Sequence, residues 1–594
     1  MKNFWNTFLA CLLAIVASSV VLTFLTFLIF AGMIAAFSSE ESVYVGSNSV
    51  LKLELNESIV DNPAQSLLRT VDPLTMTVSR SVSLISVLEA IERAADDPDI
   101  DGIYLNMSDI SMGMATMEEV RDALVQFKES GKFIISYSNY YSQGTYYLAS
   151  VADKIYVNPE GALDWRGLAS TSMFFKGTLD KLGVKTEIFR VGEFKSAVEP
   201  FLLDRMSPEN REQTQVMVNS IWNNIVGEIA RARDLKAEDL QRYASDLTIV
   251  DPQAAVELGL IDALKYKDEV LAELSDKTYR SDDESPEMVL LSEYMRAPGA
   301  KATRRLSKNK IAVIYAEGDI VDGTSTEGMI GGDGLADKLA RARRDDDVKA
   351  VVLRVNSPGG SALASELIWR EMTLIQQEKP VIVSMGDYAA SGGYYISCPA
   401  DVILAGKHTL TGSIGVFGVM LNLQDALRDK LGVTTDVVRT NPSADIGNSF
   451  RGTTPAERAY IQNSVEDVYD TFVGHVAKGR NLSRQDVLKI AGGRVWSGVS
   501  AQEIGLVDGF GGLKAAIELA ADRAGVAENY RVVTVEDPLD QLSQLLNTFF
   551  TAKMKSAPAA TNTEQELLEG YRSLTRALEY EGVQARMPYT YDIQ

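Results

Sequence analysis

Residues 381–398 read VIVSMGDYAASGGYYISC, a β-branched run followed by a serine among small residues. The β-branched run at its start predicts a buried strand over 381–384, which ends at the Gly-Asp pair of 386–387. A helix is expected from Tyr394 onward. Ser391 stands between them among small residues, so we expect it at a tight corner where the first N–H groups of the helix face an approaching ligand. A serine placed in this way is a candidate nucleophile, but no base lies near it in the sequence.

Composition limits the classes of function. The 594 residues exceed one ordinary core, and 46% hydrophobic with 23% charged residues indicates a globular chain. A net charge of −23 excludes nucleic acid as a partner, because phosphate binding needs a cationic face. The two cysteines, Cys11 and Cys398, predict neither a disulfide framework nor a thiolate zinc site. Any histidine-based site would have to use His408 or His475, and we predict no metal and no cofactor.

The N-terminus predicts a membrane anchor. Residues 3–39 carry no charge, which is more than the roughly 20 apolar residues that one bilayer span needs. A cleaved signal peptide is one alternative, but its apolar region would be only about 7–15 residues long. A segment that is partly an amphipathic surface helix is another. Lys2 precedes the run while Glu40 and Glu41 follow it, so the charges place the N-terminus in the cytoplasm and the globular part outside.

The body of the chain is a tandem repeat. Three blocks recur in order: DPDIDGIYLNM (97–107) as DDDVKAVVLRV (345–355), residues 131–157 as 379–405, and KLGVKTEIFR (181–190) as KLGVTTDVVR (430–439). The first two blocks are offset by 248 residues and the third by 249, so one insertion or deletion lies between them. Each copy alternates β-branched runs with helical patterns, which predicts parallel βαβ units.

These patterns predict individual elements and domain boundaries. Helices are expected at 83–95, 117–130, 334–343 and 362–377, and strands at 102–105, 133–137, 350–355 and 381–384. We divide the chain into an anchor (1–45), a first repeat (46–300), a basic polar linker (301–310), a second repeat (311–535) and a tail (536–594). Within the tail, 542–550 and 564–580 have amphipathic helical patterns.

Comparing the two copies isolates the candidate chemistry of the second. Ser391 aligns with Gln143, which is not a nucleophile. The loop NSPGG of the second copy aligns with SDISM of the first, so Gly359 and Gly360 occur only beside the serine. Adjacent glycines allow backbone N–H groups to approach an anion closely, as an oxyanion hole requires. Taken alone, the same glycines could form a turn without chemistry.

The first copy contains the candidate base. Lys195 lies in VGEFKSAVEPF (191–201) and aligns with Ala444 of the second copy. Each copy has therefore kept one half of a possible dyad. A lone loop lysine is ordinarily solvated, but burial would lower its pKa and make it a general base.

Four motifs carry a resemblance to a known family. VNSPGGS, AASGGYY, LTGSIGVFG (410–418) and VGEFKSAVEPF resemble the long, tandem-domain form of bacterial signal peptide peptidase A, or protease IV, of peptidase family S49. The resemblance extends from the anchor to about residue 530. It implies an α/β fold of two tandem ClpP/crotonase-like ββα domains, here preceded by the N-terminal transmembrane helix.

The same resemblance implies a function and a set of roles. It implies a serine endopeptidase with Ser391 as nucleophile, Lys195 as general base, Gly359 and Gly360 as oxyanion hole, and Ser413 orienting the lysine. Implied substrates are cleaved signal peptides and other hydrophobic peptides in or at the membrane. The family implies a bowl-shaped homotetramer with sites between neighbouring protomers. The expected location is the bacterial inner membrane, with the catalytic part on the periplasmic side.

Alternatives from other classes stay open at this point. A Ser–His–Asp hydrolase would use His408 or His475, although neither lies in a partner motif. A crotonase-type acyl-CoA enzyme or a catalytically inactive membrane scaffold would share the fold but would need neither Ser391 nor Lys195.

Overall fold

The computed structural model describes residues 44–62, 81–107, 110–280, 285–297, 307–325, 328–535 and 583–587. The anchor predicted at 1–45 lies outside these ranges except for its last two residues, and the helices predicted at 542–550 and 564–580 lie wholly outside them. Within the described ranges, no helix is long and apolar enough to cross a bilayer.

The first half of the chain, where described, contains a parallel sheet of six strands that is covered by helices, and three strands outside that sheet. Its strands are β1 (Ser49–Leu53), β2 (Ser58–Val60), β3 (Ser81–Ser83), β4 (Ile100–Leu105), β5 (Phe133–Tyr141), β6 (Lys154–Leu163), β7 (Lys185–Val191), β8 (Ala263–Leu264) and β9 (Met288–Leu290). Its α-helices are α1 (Leu84–Asp96), α2 (Met114–Lys128), α3 (Gln143–Ala149), α4 (Lys176–Leu182), α5 (Glu199–Leu202), α6 (Pro208–Arg233), α7 (Ala237–Ser245), α8 (Pro252–Glu257), α9 (Lys267–Lys277) and α10 (Leu291–Tyr294). A 3-10 turn covers Ser196–Val198. The sheet order is β8-β6-β5-β4-β1-β9, and β2 pairs separately with β3.

The second half repeats this plan. Its strands are β10 (Lys310–Glu317), β11 (Asp319–Val321), β12 (Met329–Gly331), β13 (Val348–Ser357), β14 (Gly359–Ser361), β15 (Val381–Ala390), β16 (Val402–Ala405), β17 (Leu410–Gly412), β18 (Val416–Asn422), β19 (Val495–Ser497), β20 (Gly509–Phe510), β21 (Arg531–Thr534) and β22 (Val583–Arg586). Its α-helices are α11 (Gly332–Arg344), α12 (Ala362–Gln376), α13 (Gly392–Ser397), α14 (Pro455–Gly479), α15 (Arg484–Ile490), α16 (Gly498–Glu503) and α17 (Leu513–Arg523), and a π-helix covers Ala426–Leu431. The central order is β19-β17-β15-β13-β10-β21, with β16 beside β15 and β20 beside β16.

The repeat predicted from the sequence is present in the structure at the same offset. Helix α1 and helix α11 begin and end 248 residues apart, and so do α2 and α12. All eight elements predicted within the repeats occur, with somewhat different ends. The fold is therefore a mixed α/β fold in which the two halves are copies of one βα plan.

One predicted boundary is wrong. Strand β15 does not end at the Gly-Asp pair of 386–387 but continues to Ala390. Its first part pairs with β16 and its last three residues pair with β17, so the pair marks a change of partner. The Asp387 carboxylate also accepts hydrogen bonds from the N–H groups of Ala115 and Thr116 at the start of α2. Ser391 consequently follows directly on a strand that is hydrogen-bonded to its end.

A third sheet joins the two repeats. Its order is β12-β11-β14-β22-β18-β7. Strand β18 of the second repeat runs antiparallel to β7 of the first over seven residue pairs, from Val416↔Val191 to Asn422↔Lys185. Because Lys195 follows β7 by only four residues, this pairing brings its loop to the second repeat.

Buried charges hold the repeats together as well. Arg354 of β13 is fully buried, and its guanidinium lies 2.8 Å from Asp61 and 2.7 Å from Glu119, both of the first repeat. Buried ions are tolerated only when they are paired, so each group needs the other repeat in place. The three residues therefore fix how the repeats sit on one another.

The Arg354→Met variant should be strongly destabilised. It leaves the carboxylates of Asp61 and Glu119 buried without their cation, which costs about 3–5 kcal/mol. The midpoint of urea unfolding, followed by tryptophan fluorescence, should fall accordingly. The control is Arg428→Met, which removes an exposed ion pair with Asp425 and should leave the midpoint unchanged. Equal midpoints for the two variants would contradict this account of the repeat interface.

Candidate active site

Ser391 occupies a strained corner between β15 and α13. Its φ of 55° and ψ of −112° lie in a sparsely populated region, which costs a non-glycine residue about 1–3 kcal/mol. Its N–H donates to the Gly412 carbonyl at 2.7 Å, and its own carbonyl accepts from the Tyr395 N–H at 2.8 Å. A Cβ added at Gly392 would lie 2.8 Å from the Ser365 hydroxyl, so the glycine after the serine is required by packing. These contacts fix the direction of the Ser391 side chain.

Lys195 reaches this corner from the first repeat of the same chain. Its loop rests on two glycines of the second repeat: the Phe194 N–H donates to the Gly492 carbonyl at 2.9 Å, and a Cβ at Gly493 would lie 2.6 Å from that of Lys195. The Lys195 Nζ lies 2.7 Å from the Ser391 Oγ. Both side chains are fully buried. Lys195 and Ser391 therefore meet within one chain, whereas the family resemblance implied a site between neighbouring protomers.

The lysine nitrogen has three oxygen neighbours, and they determine its orientation when it is neutral. Besides the Ser391 Oγ, Nζ donates to the carbonyl oxygen and to the hydroxyl of Ser413, each at 3.0 Å. The Ser413 hydroxyl in turn donates to the Gly493 carbonyl at 3.3 Å. A neutral amine has two hydrogens and one lone pair. If both hydrogens go to Ser413, the lone pair faces the Ser391 hydroxyl and can accept its proton.

Burial favours this neutral form. The pKa of Lys195 is well below its usual range because burial strips the ammonium ion of its hydration. Its three partners are hydroxyl and carbonyl oxygens, none of which carries a formal charge. The site can thus hold a lysine that is ready to take a proton.

The two glycines predicted to form the oxyanion hole have different neighbours. Gly359 has φ of 103°, and a Cβ there would lie 2.6 Å from the nitrogen of Gly392. Gly360 packs against β11, where a Cβ would meet the Ile320 carbonyl at 2.0 Å. The Gly359 N–H donates to the Ser357 Oγ at 3.1 Å. The glycine loop thus lies beside the residue that follows Ser391, and the Gly392 N–H is a further donor to consider there.

Both histidines are bonded to glutamates. The Nδ1 of His408 is 3.0 Å from Glu118, and the Nε2 of His475 is 2.9 Å from Glu366. The ring of His475 also stacks on Trp369 with centroids 3.5 Å apart. These contacts hold both histidines in structural roles. Of the candidate bases, it is Lys195 that contacts Ser391.

The counterparts in the other copies show how the asymmetry is built. Gln143, at the corner of the first repeat, accepts from the N–H groups of Arg166 and Gly167 and donates to the Gly167 carbonyl, so it closes a loop. Ala444 lies exposed on the surface of the second repeat. Where the repeats meet, the first repeat therefore provides the Lys195 amine and the second provides the hydroxyls of Ser391 and Ser413.

Sequence reasoning missed the glycines that seat the lysine. Gly415 packs on the lysine side chain, since a Cβ there would lie 3.2 Å from the Lys195 Cδ, and its carbonyl is 3.5 Å from the Ser391 Oγ. Gly492 and Gly493 contact the loop that carries Lys195. A signal was available, because residues 240–250 of the first copy, the region that an offset of about 249 places opposite this pair, contain no glycine.

Comparison with known proteins identifies the family. The model of peptidase family S49 matches residues 126–279 and 373–527, once in each repeat. Protease 4 of Haemophilus influenzae is 37% identical over 90% of this chain and 89% of its own. Protease 4 of Salmonella typhi is 38% identical over 81% and 80%, and the chloroplastic serine protease SPPA of Arabidopsis thaliana is 33% identical over 87% and 76%. The chain belongs to peptidase family S49 and is a serine protease, which confirms the resemblance.

The stability of a Lys195→Met variant should depend on pH in a characteristic way. The unfolded chain has an ordinary lysine pKa of about 10.4, so between the lowered pKa of the folded site and that pH the unfolded chain binds a proton that the folded chain does not. This makes wild-type stability rise with pH, and methionine removes the effect. The difference in thermal midpoint, variant minus wild type, should therefore decrease steadily from about pH 8 to about pH 10.

The matched control is Lys236→Met, which replaces an exposed lysine. Its midpoint difference from wild type should show no such trend. A flat difference for Lys195→Met would mean that the folded site binds the proton as readily as the unfolded chain does.

Proposed function

We propose that Ser391 is the nucleophile and Lys195 the general base of this serine protease. The observation that carries the proposal is the 2.7 Å contact between two fully buried groups, a hydroxyl and an amine whose pKa is lowered by burial. Nucleophilic serines require a base within hydrogen-bond reach, and a desolvated lysine can serve as one.

The acylation step follows from the geometry. Neutral Lys195 takes the hydroxyl proton as the Ser391 Oγ attacks the carbonyl carbon of a peptide bond. The negative charge on the former carbonyl oxygen is held by backbone N–H groups of the Gly359–Gly360 loop together with that of Gly392, which requires the Gly359 N–H to exchange its hydrogen bond with the Ser357 Oγ for one with the oxyanion. When the C–N bond breaks, the ammonium of Lys195 returns its proton to the departing amine.

Deacylation uses the same groups in the same order. Lys195 takes a proton from water, the hydroxide attacks the ester, and the proton then returns to the Ser391 Oγ. Ser413 acts as a positioning residue, because it occupies both hydrogens of the neutral amine and aims the lone pair at the serine. Fixed donors and acceptors of this kind lower the barrier without reorganisation.

The setting of the enzyme is also proposed. We assign residues 1–45 as a single transmembrane anchor in the bacterial inner membrane, with the two ClpP/crotonase-like repeats (46–300 and 311–535, joined by the linker 301–310) on the periplasmic side. The uncharged run 3–39 supports the anchor. The motif resemblance supports cleaved signal peptides and other hydrophobic peptides as substrates, and a homotetramer as the assembly.

Ser391→Ala and Lys195→Ala should each abolish peptide hydrolysis. We expect kcat to fall by roughly 10⁴-fold or more in each variant, because the nucleophile and the base act as a unit and the loss of either one disables the other. The wild-type kcat/KM should rise with pH as Lys195 loses its proton and then level off.

The control for these variants is His475→Gln, which should keep activity within a few-fold. Retained hydrolysis in both alanine variants would contradict the Ser391–Lys195 dyad. A rate that is flat from acid to strongly alkaline pH would contradict the role of lysine as the base.

Ser413→Ala should lower kcat about 100-fold while KM changes little, because Ser413 contacts the base and not the substrate. Ser397→Ala is the matched control: Ser397 is equally buried, but its hydroxyl donates to the Gly393 carbonyl at 2.7 Å. It should leave kcat close to wild type. Equal losses in the two variants would show that Ser413 only supports the fold.

A further inference from the structure

One buried glutamine side chain contacts both the loop of Lys195 and the second repeat. Gln213 lies in the first turns of α6, and its exposed fraction is only 2%. Its Nε2 donates to the Phe194 carbonyl at 3.1 Å and to the Ser196 hydroxyl at 2.8 Å. These are the residues on either side of Lys195 in the chain, so the amide holds the lysine loop from both flanks.

The oxygen of the same amide faces the second repeat. The Gln213 Oε1 accepts from the Val495 N–H at 3.2 Å, and Val495 begins β19. Only an oxygen can accept from this N–H and only a nitrogen can donate to the Phe194 carbonyl, so the two contacts fix which way the amide points. A single side chain therefore connects the loop of the proposed base to a strand of the other repeat.

The strand that this glutamine contacts holds the serine side of the site. Val495 pairs with Gly412 of β17, whose carbonyl accepts from the Ser391 N–H at 2.7 Å. The carbonyl of Arg494, the residue before Val495, accepts from the Ser413 N–H at 2.7 Å. The amide thus joins the lysine loop to the backbone that fixes both serines.

The corresponding position of the second repeat has a different environment. Helices α6 and α14 begin with similar sequences, SPENREQ at 207–213 and TPAERAY at 454–460, so Gln213 aligns with Tyr460. The Tyr460 side chain is 70% exposed. At this position a buried amide therefore occurs only in the repeat that carries the lysine.

We infer that Gln213 is a positioning residue of the proposed Ser391–Lys195 site, because it sets the place of the lysine loop relative to the strands that hold the serines. The inference rests on the proposed function and adds a residue to it. Loss of the amide would release the loop on one side and β19 on the other. A misplacement of a reacting group by about 1 Å can lower a rate about 100-fold.

The charged side chains next to the lysine loop already have partners or are exposed. Glu199 accepts hydrogen bonds at 2.6 and 2.9 Å from a serine and an asparagine of the first repeat. Glu212 pairs with Arg494 at 3.1 Å, and Glu193 is exposed. A carboxylate introduced at position 213 would be a new buried negative charge beside the loop. It would favour the ammonium form of Lys195.

The test is the pH profile of kcat/KM for hydrolysis of the fluorogenic peptide acetyl-Leu-Leu-Ala-aminomethylcoumarin. The half-maximal pH of Gln213→Glu should lie above that of wild type by about half a unit or more, because the new charge raises the pKa of Lys195. The control is Gln215→Glu, which places the same charge on the exposed side of α6 and should leave the profile unchanged. Equal half-maximal pH values for Gln213→Glu and wild type would overturn the inference.

Gln213→Met separates positioning from a general effect of a buried charge, because methionine is similar in size and uncharged. Its kcat should fall about 10- to 100-fold while KM stays within about two-fold, since the amide contacts the lysine loop and not the substrate. The matched Gln215→Met should keep both constants. A kcat of Gln213→Met equal to that of wild type, or a rise in KM as large as the fall in kcat, would overturn the inference.

The wild-type profile separates this inference from the proposed function. A wild-type rate that rises with pH, together with Gln213 variants that behave as wild type, would overturn the inference and leave the Ser391–Lys195 dyad standing. A wild-type rate that is flat from acid to strongly alkaline pH would overturn both.

Discussion

The packing of the two repeats is organised around one buried amine, that of Lys195, whose pKa is lowered by burial. Desolvating an ammonium ion is costly, so the site holds Lys195 among hydroxyl and carbonyl oxygens that accept hydrogen bonds without favouring the charge strongly. Such an arrangement is stable only if the surroundings place every partner. The pairing of β7 with β18 and the seat on Gly492 and Gly493 provide that placement.

This constraint also accounts for the asymmetry of the repeats. The proposed site needs a serine corner next to a lysine loop, and the pairing of β7 with β18 provides one such contact. At the corresponding corner of the first repeat, Gln143 is hydrogen-bonded to a neighbouring loop. In the second repeat, Ala444 aligns with Lys195 and lies exposed on the surface. The two repeats thus bring one serine and one lysine together within one chain, at the proposed active site.

Much of the fold and of the candidate site could be predicted from the sequence, because each repeat could be compared with the other. Two copies in register located the helices, and reciprocal losses pointed to Ser391 and Lys195. The continuation of β15 past a Gly-Asp pair could not be predicted, because it depends on a change of pairing partner and on Asp387 binding the start of α2. The place of β22 was equally out of reach, since pairing between segments more than 160 residues apart leaves no local pattern.

Co-expression of Ser391→Ala and Lys195→Ala chains, which are allowed to assemble together before activity is measured, tests whether the two groups act within one chain. Within each chain one half of the dyad is missing, so the account predicts that mixed assemblies hydrolyse peptide no faster than either variant alone. Recovery of activity in the mixture would contradict it, because the serine of one chain would then have met the lysine of another.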